Sequence, residues 1–177
     1  SIAGSANPKE LIRNRRKIGF FVGSHFYPNL SAKENLRYFA TVKKIPGREM
    51  KKEIERVLEL VGLADVKKKP FKSFSLGMKQ RLGIANAILG SPEILILDEP
   101  LSGVDVEGIT SLMDMLDEIR KTYDLSILMT THDFAMLPRY ADQVALIDHT
   151  VLIKGAPETV LNSPEFRQAF RLKGGNV

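Results

Sequence analysis

The chain has 177 residues, 44% of them hydrophobic, which is enough for one domain with a sizeable core and short for two. Its 26 basic and 21 acidic side chains leave a net charge of +5, a surplus that suits phosphates or anionic surfaces and equally an ordinary solvated surface. Without cysteine it can hold neither disulfides nor thiolate-bound metals, which fits a reducing cytosol, and no apolar run nears the roughly 20 residues that cross a bilayer, so the chain itself is not expected to span a membrane.

Residues Ser1 to Lys9 lack the basic-then-apolar layout of a signal peptide, and the chain opens without methionine in a loop-like stretch, as though sequence preceded it. Lys9 to Lys17 is polar with few apolar anchors, after which Ile18-Gly19-Phe20-Phe21-Val22 reads as a short buried strand ending at Gly23. Ser31-Ala32-Lys33-Glu34 has the form of a capping box, and Leu36, Phe39, Ala40 and Val42 then supply the apolar face of a helix over 32–43. Beyond Pro46-Gly47, Met50, Ile54, Val57, Leu58 and Val61 recur at helical spacing, with Gly62 as the stop. The basic run Lys67-Lys68-Lys69-Pro70 breaks that pattern before Ser75-Leu76-Gly77-Met78 opens another helix, which Gly90-Ser91-Pro92 ends.

Ile94-Leu95-Ile96-Leu97 is apolar without alternation, as expected of a parallel strand covered on both faces, and it ends in Asp98-Glu99-Pro100. A helix over 106–122, a strand from Ser126 to Thr130, a helix after His132 and a strand from Gln143 to Asp148 complete an α/β alternation. Val151-Leu152-Ile153-Lys154 reads as the second arm of a hairpin, and Ser163-Pro164 starts a last helix through Phe166, Ala169 and Phe170.

Two adjacent acids at the end of a hydrophobic strand suit nucleotide hydrolysis, because open α/β sheets bind ligands beyond the carboxyl ends of their strands. One acid can hold Mg²⁺, directly or through water, while the other orients and deprotonates the attacking water. Taken alone, Asp98-Glu99 serves equally as the start of a turn or helix. Ser75, before a helix that carries Gly77, is by itself an ordinary N-cap; free N–H groups and the helix dipole also make such a place an anion site.

Ser75-Leu76-Gly77-Met78-Lys79-Gln80-Arg81 resembles the signature motif of ATP-binding cassette (ABC) transporter ATPases, and Ile94 to Glu99 follows at the family's spacing as a Walker B strand. Ser102-Gly103-Val104-Asp105 resembles the D-loop, with Val104 in place of the commoner Leu, and His132 after a short strand resembles the switch-loop histidine. The resemblance runs from about residue 10 to the end, and four motifs in one order with matching contexts make it specific. It implies a P-loop NTPase-like, mostly parallel α/β core over 1–30 and 91–177, with a helical subdomain inserted over 31–90. It further implies Glu99 as the catalytic carboxylate, Asp98 as the Mg²⁺-associated acid and His132 as a donor to the γ-phosphate. Ser75, Leu76, Gly77, Met78 and Gln80 would meet the ATP bound by a second subunit, with Asp105 near that interface. His25 and His149 match no family role and are expected to be structural or exposed.

A membrane permease subunit is implied as partner, docking near the segment after Gly23 and the helical insertion, with the chain peripheral on the cytoplasmic face of the plasma membrane. Phe26-Tyr27-Pro28-Asn29-Leu30-Ser31-Ala32-Lys33-Glu34-Asn35-Leu36 is similar to ATPases of drug, bacteriocin and lantibiotic-immunity exporters. Two departures stand out. The phosphate-cradling G-x-x-x-x-G-K-[ST] loop occurs nowhere in the 177 residues, nor do the strand and antiparallel β subdomain that the family places with it; ATP affinity of these residues alone is therefore expected to be weak or nil. Loss of that strand is also expected to leave apolar faces and open edges. At the position where the family most often has Gln stands Gly23, beside which Ser24 offers a hydroxyl.

Two other readings compete. The chain could be a P-loop-less partner that lends its signature motif to a complete ATPase, a case that an in-frame P-loop upstream would remove. A nucleic-acid-associated ABC ATPase is suggested only by charge; no coiled-coil insertion or second cassette accompanies it, and no nucleic acid is expected as partner.

Overall fold

The computed structural model describes residues 17–23 and 25–170, so the polar stretch before Lys17 and the Ser24 hydroxyl lie outside the described residues. The described residues divide into two compact units, one ending at Thr131 and the other beginning at His132.

In the first unit, strand β1 (Ile18–Val22) pairs in parallel with β2 (Ile94–Asp98), which pairs in parallel with β3 (Ser126–Met129), giving the order β1-β2-β3. Between β1 and β2 in sequence come α1 (Ala32–Val42), α2 (Gly47–Leu60), two 3₁₀ turns (Ala64–Val66 and Phe71–Ser73) and α3 (Leu76–Ile88), and no strand. Helix α4 (Val106–Tyr123) joins β2 to β3.

The Ser31 capping box forms as its sequence predicts. Ser31 Oγ accepts from the Glu34 N–H at 3.2 Å while Glu34 Oε2 accepts from the Ser31 hydroxyl at 2.6 Å and from the Ser31 N–H at 2.8 Å, and the hydroxyl first, then the N–H, hold the Glu34 carboxyl below its ordinary pKa. One turn on, the fully buried Asn35 accepts from the Tyr27 N–H (2.8 Å) and donates to the carbonyls of Tyr27, Leu30 and Ser31, fixing the loop that leads into α1. Leu36, Ile54, Val57, Leu58, Leu82 and Ile84 pack with essentially no exposure and bind α1, α2 and α3 into one core.

Helix α3 lies on the face of the sheet that buries Phe21, Leu95 and Leu97. The other face carries Phe20, Val22 and Leu128, all more than half exposed, so β2 is buried on one face rather than both. Its unbroken apolar run is of the kind that parallel sheets lay against a further layer.

Lys43, just past α1, donates to the carbonyl of Asn86 and, at 3.3 Å, to that of Leu89, capping the end of α3. Desolvation of its ammonium pushes its pKa down to about 8, with Glu53 opposing the shift. An unfolded lysine keeps its proton up to 10.5, so between about 8 and 10.5 the unfolded chain binds more protons than the native one. Stability is therefore expected to rise as pH climbs through that window. Urea midpoints across it check this, and Lys43→Met is expected to flatten the rise.

In the second unit, β4 (Val144–Asp148) and β5 (Thr150–Gly155) form an antiparallel hairpin with a bulge between Leu146 and Ile147. The helix expected after His132 is a single turn, α5 (Leu137–Tyr140), with Pro138 in its first turn and extended backbone at Ala141. Helix α6 (Pro157–Leu161) was not anticipated, whereas α7 (Pro164–Ala169) starts as predicted, with Ser163 Oγ accepting from the Phe166 N–H at 3.1 Å. Phe134, Phe166 and Phe170 stack mutually with centroids 4.6–4.9 Å apart.

Candidate functional site

Parallel pairing sets Val22 abreast of Asp98, so β1 and β2 end together and the acids stand at the carboxyl edge of the sheet. Asp98 is exposed and Glu99 half-buried. Glu99 has φ 47°, the left-handed region that costs a non-glycine residue about 1–2 kcal/mol. Its N–H donates to Thr130 Oγ1 at 3.0 Å, and that same hydroxyl donates to Asp98 Oδ1 at 2.7 Å. Thr130 continues the ladder one step past β3, its N–H reaching the Leu97 carbonyl at 2.9 Å.

The direction of α3 follows from its close approaches to β1. A methyl group on Gly83 would strike the Phe21 ring, and one on Gly19 would strike the Ala87 carbonyl, so the helix runs opposite to the strand. At about 1.5 Å per residue, Leu76 lies roughly 10 Å past the level of Gly83, on the side of the sheet where Asp98 stands. Ser75 is the N-cap, accepting from the Met78 N–H at 3.3 Å, and both it and Leu76 are exposed. A methyl group on Gly77 would meet nothing nearer than Val104 Cγ1 at 4.0 Å, so packing within the chain does not demand glycine there and the backbone is open to a ligand.

The segment after β2 returns to this helix end. A methyl group on Gly103 would come within 2.8 Å of Leu76 Cδ2, and Gln80, only 8% exposed, places Nε2 3.5 Å from the Ser102 carbonyl. Gln80 Oε1 finds no donor among the described residues. Met78, half-buried, follows Gly77 on the helix. Asp105 caps α4, its Oδ1 accepting from the Gly108 N–H at 2.7 Å, which satisfies an orphan donor of that helix. Arg81 ties the three helices: Nη1 donates to the Val61 carbonyl at 3.0 Å and Nη2 to Ser111 Oγ at 2.8 Å, and burial lowers its pKa.

Residues Ser75, Leu76, Gly77, Met78 and Gln80 thus share one helix end, with Gly103 against Leu76 and Val104 beside Gly77, while Asp98 and Glu99 share a strand end. His132, exposed, opens the second unit. Gly23 has φ 68°, a conformation that favours glycine and would strain the glutamine of the family pattern; the exposed His25 ring lies against it. His149 sits exposed at the tip of the β4–β5 hairpin with φ 57°, 3.8 Å from Asp148. Thr130 is the residue that sequence reasoning passed over. Its hydroxyl joins the site only because Leu97 pairs with Met129, a register no single strand reveals.

No group of three or more His, Asp or Glu among the described residues could hold a metal ion by itself. An exposed aspartate with one oxygen engaged by a hydroxyl fits Mg²⁺, which keeps most of its waters and takes one or two carboxylates alongside substrate phosphates. Among the described residues no helix is long and apolar enough to cross a membrane.

Residues 3–102 match the family described as ABC transporter. The chain is 41% identical to the bacitracin transport ATP-binding protein BcrA of Bacillus licheniformis over 85% of its own length and 48% of that relative. It is 43% identical to the ABC transporter ATP-binding protein YcbN of Bacillus subtilis over 69% of its own length and 39% of that relative. The chain therefore spans about half or less of the curated relatives it matches. Among solved structures, cbiO1 from Clostridium perfringens, part of the ABC transporter complex cbiONQ, superposes with a TM-score of 0.79 at 28% identity, covering 96% of this chain and 68% of that one.

Proposed function

This chain belongs to the ABC transporter ATP-binding family, and from that premise we propose that it is the part of an ATP-hydrolysing subunit that carries the water-activating and signature residues of a membrane exporter. The observation that carries this reading is the placement of Asp98-Glu99 at the carboxyl edge of a parallel sheet, with the exposed start of α3 on the same side.

Glu99 is the general base toward the attacking water, and Asp98 holds Mg²⁺, which when bound neutralises charge on the β- and γ-phosphates. His132 donates a hydrogen bond to a γ-phosphate oxygen. The open backbone at Gly77 and the Ser75 hydroxyl, which has a proton to donate beyond its capping role, receive the phosphates of ATP held by a second chain. Leu76 and Met78 shape that surface, the buried Gln80 supports it through the Ser102 carbonyl, and Asp105 keeps the facing loop in place as an N-cap. The arrangement needs a phosphate-cradling loop, and these residues contain none of the G-x-x-x-x-G-K-[ST] form. A separate permease supplies the membrane path, and the ATPase sits peripherally on its cytoplasmic face. Transport of a compound like bacitracin is supported by the likeness to the bacitracin transport ATP-binding protein BcrA, and export by the segment from Phe26 to Leu36.

The sandwich is tested by following molecular size as MgATP is added to the protein carrying this chain together with its phosphate-binding loop. A dimer is expected to accumulate when hydrolysis is blocked, and Ser75→Arg is expected to abolish it. A monomer at saturating ATP contradicts the reading.

A further inference from the structure

We propose that Thr130 is a positioning residue for the acid pair, its one hydroxyl holding the Asp98 side chain and the Glu99 backbone in a fixed relation. The inference rests on the reading that this pair hydrolyses ATP. A single oxygen makes both bonds, donating to Asp98 Oδ1 at 2.7 Å and accepting from the Glu99 N–H at 3.0 Å.

Each acid has reason to need the tie. Asp98 is the last residue of its strand and is exposed, so its carboxylate would otherwise sample several rotamers in water. With Oδ1 engaged, Oδ2 is the oxygen left for Mg²⁺ or one of its waters. Glu99 sits in left-handed backbone at φ 47°, which its own residue type disfavours, and the direction in which its carboxylate leaves the chain follows from that backbone.

Thr130 is suited to the task because it is itself immobilised. Its N–H bonds to the Leu97 carbonyl at 2.9 Å, so the strand ladder carries its backbone, and its β-branched side chain has few rotamers to lose. The clamp thus joins the carboxyl ends of β2 and β3 across the place where a water must be aligned. Rate depends steeply on such alignment, whereas ground-state affinity for ATP depends on contacts elsewhere.

The test compares Thr130→Val, which keeps the shape and removes the hydroxyl, with Thr130→Ser, which keeps the hydroxyl, in the intact transporter protein; Thr130→Ala replaces the valine variant if that fails to fold. Thr130 is exposed, so thermal midpoints are expected to stay close to the parent. Amide exchange at Glu99 is expected to quicken about tenfold in the valine variant and stay within about twofold in the serine variant. Turnover at saturating ATP is expected to fall about tenfold in the valine variant, with KM for ATP within about twofold and serine restoring most of the loss. Unchanged Glu99 exchange in the valine variant, parental turnover, a loss appearing in KM alone, or no rescue by serine would overturn the proposal. A parent without turnover would remove the hydrolysis reading and with it the catalytic role, while Glu99 exchange would still report whether the clamp exists.

Discussion

Replacing Glu99 by glutamine is expected to lower Mg²⁺-dependent ATP turnover by about 10²–10⁴-fold while leaving ATP binding in place, the size of effect that removal of a positioned general base produces. The substitution conserves shape while it removes the negative charge and the ability to take a proton. The bond from the Glu99 backbone N–H to Thr130 Oγ1 survives the change of side chain. Asp98 keeps its own bond to Thr130, so its carboxylate stays where it was. Phosphate release and nucleotide affinity measured on one preparation separate the two effects. Equal losses in both would mean that Glu99 acts in binding, and parental turnover would remove it from the chemistry.

The second large effect is on the fold. Gly83→Val is expected to destabilise the chain by about 3 kcal/mol, the upper part of the usual range for overpacking and a large fraction of the roughly 5–15 kcal/mol by which domains are stable. A Cβ on Gly83 would fall 2.1 Å from Phe21 Cε2 and 2.5 Å from Cδ2, and Phe21 is only 2% exposed, so its ring has no free space to move into. Either the ring leaves its rotamer or α3 lifts from β1. Because Ser75 caps α3, lifting the helix also shifts Ser75 and Gly77 relative to the strand ends. Urea midpoints check the magnitude. In a Phe21→Leu background the same substitution is expected to cost markedly less, since the two sites share one contact; equal costs in both backgrounds would place the strain elsewhere.

Local patterns in the sequence predict local structure well. Ser31 and Glu34 form the capping box, Gly62 ends the second helix region with φ 69°, and the unbroken apolar run from Ile94 becomes the strand that delivers Asp98. The helix expected over 106–122 is observed as Val106–Tyr123, and the strand expected to reach Thr130 ends at Met129 with one further backbone bond. The stretch after His132 shows where pattern reading is weakest: its apolar residues are spaced closely enough to suggest a helix, yet only Leu137–Tyr140 closes a turn, with no side-chain cap at Met136.

Features that depend on register or on distant approach were not legible. Asn35 is fully buried and anchors the loop from Tyr27 to Ser31, because only the folded loop brings those carbonyls to it. Thr130 reads as the end of a strand until pairing with β2 sets it beside the acids. Asp105 stood out for its motif, and the structure adds that its carboxylate is already engaged at the start of α4. The glycine at position 23 reads as a missing glutamine; the backbone there adopts a turn that glutamine would strain.

The central claim is that this chain supplies the hydrolytic acids of an ABC transporter. It is tested most directly by phosphate release from the protein carrying this chain and its phosphate-binding loop, reconstituted with its membrane partner, with and without Mg²⁺. The account predicts Mg²⁺-dependent release that disappears in Glu99→Gln. Absence of release under every partner condition, or release indifferent to Glu99, would contradict it.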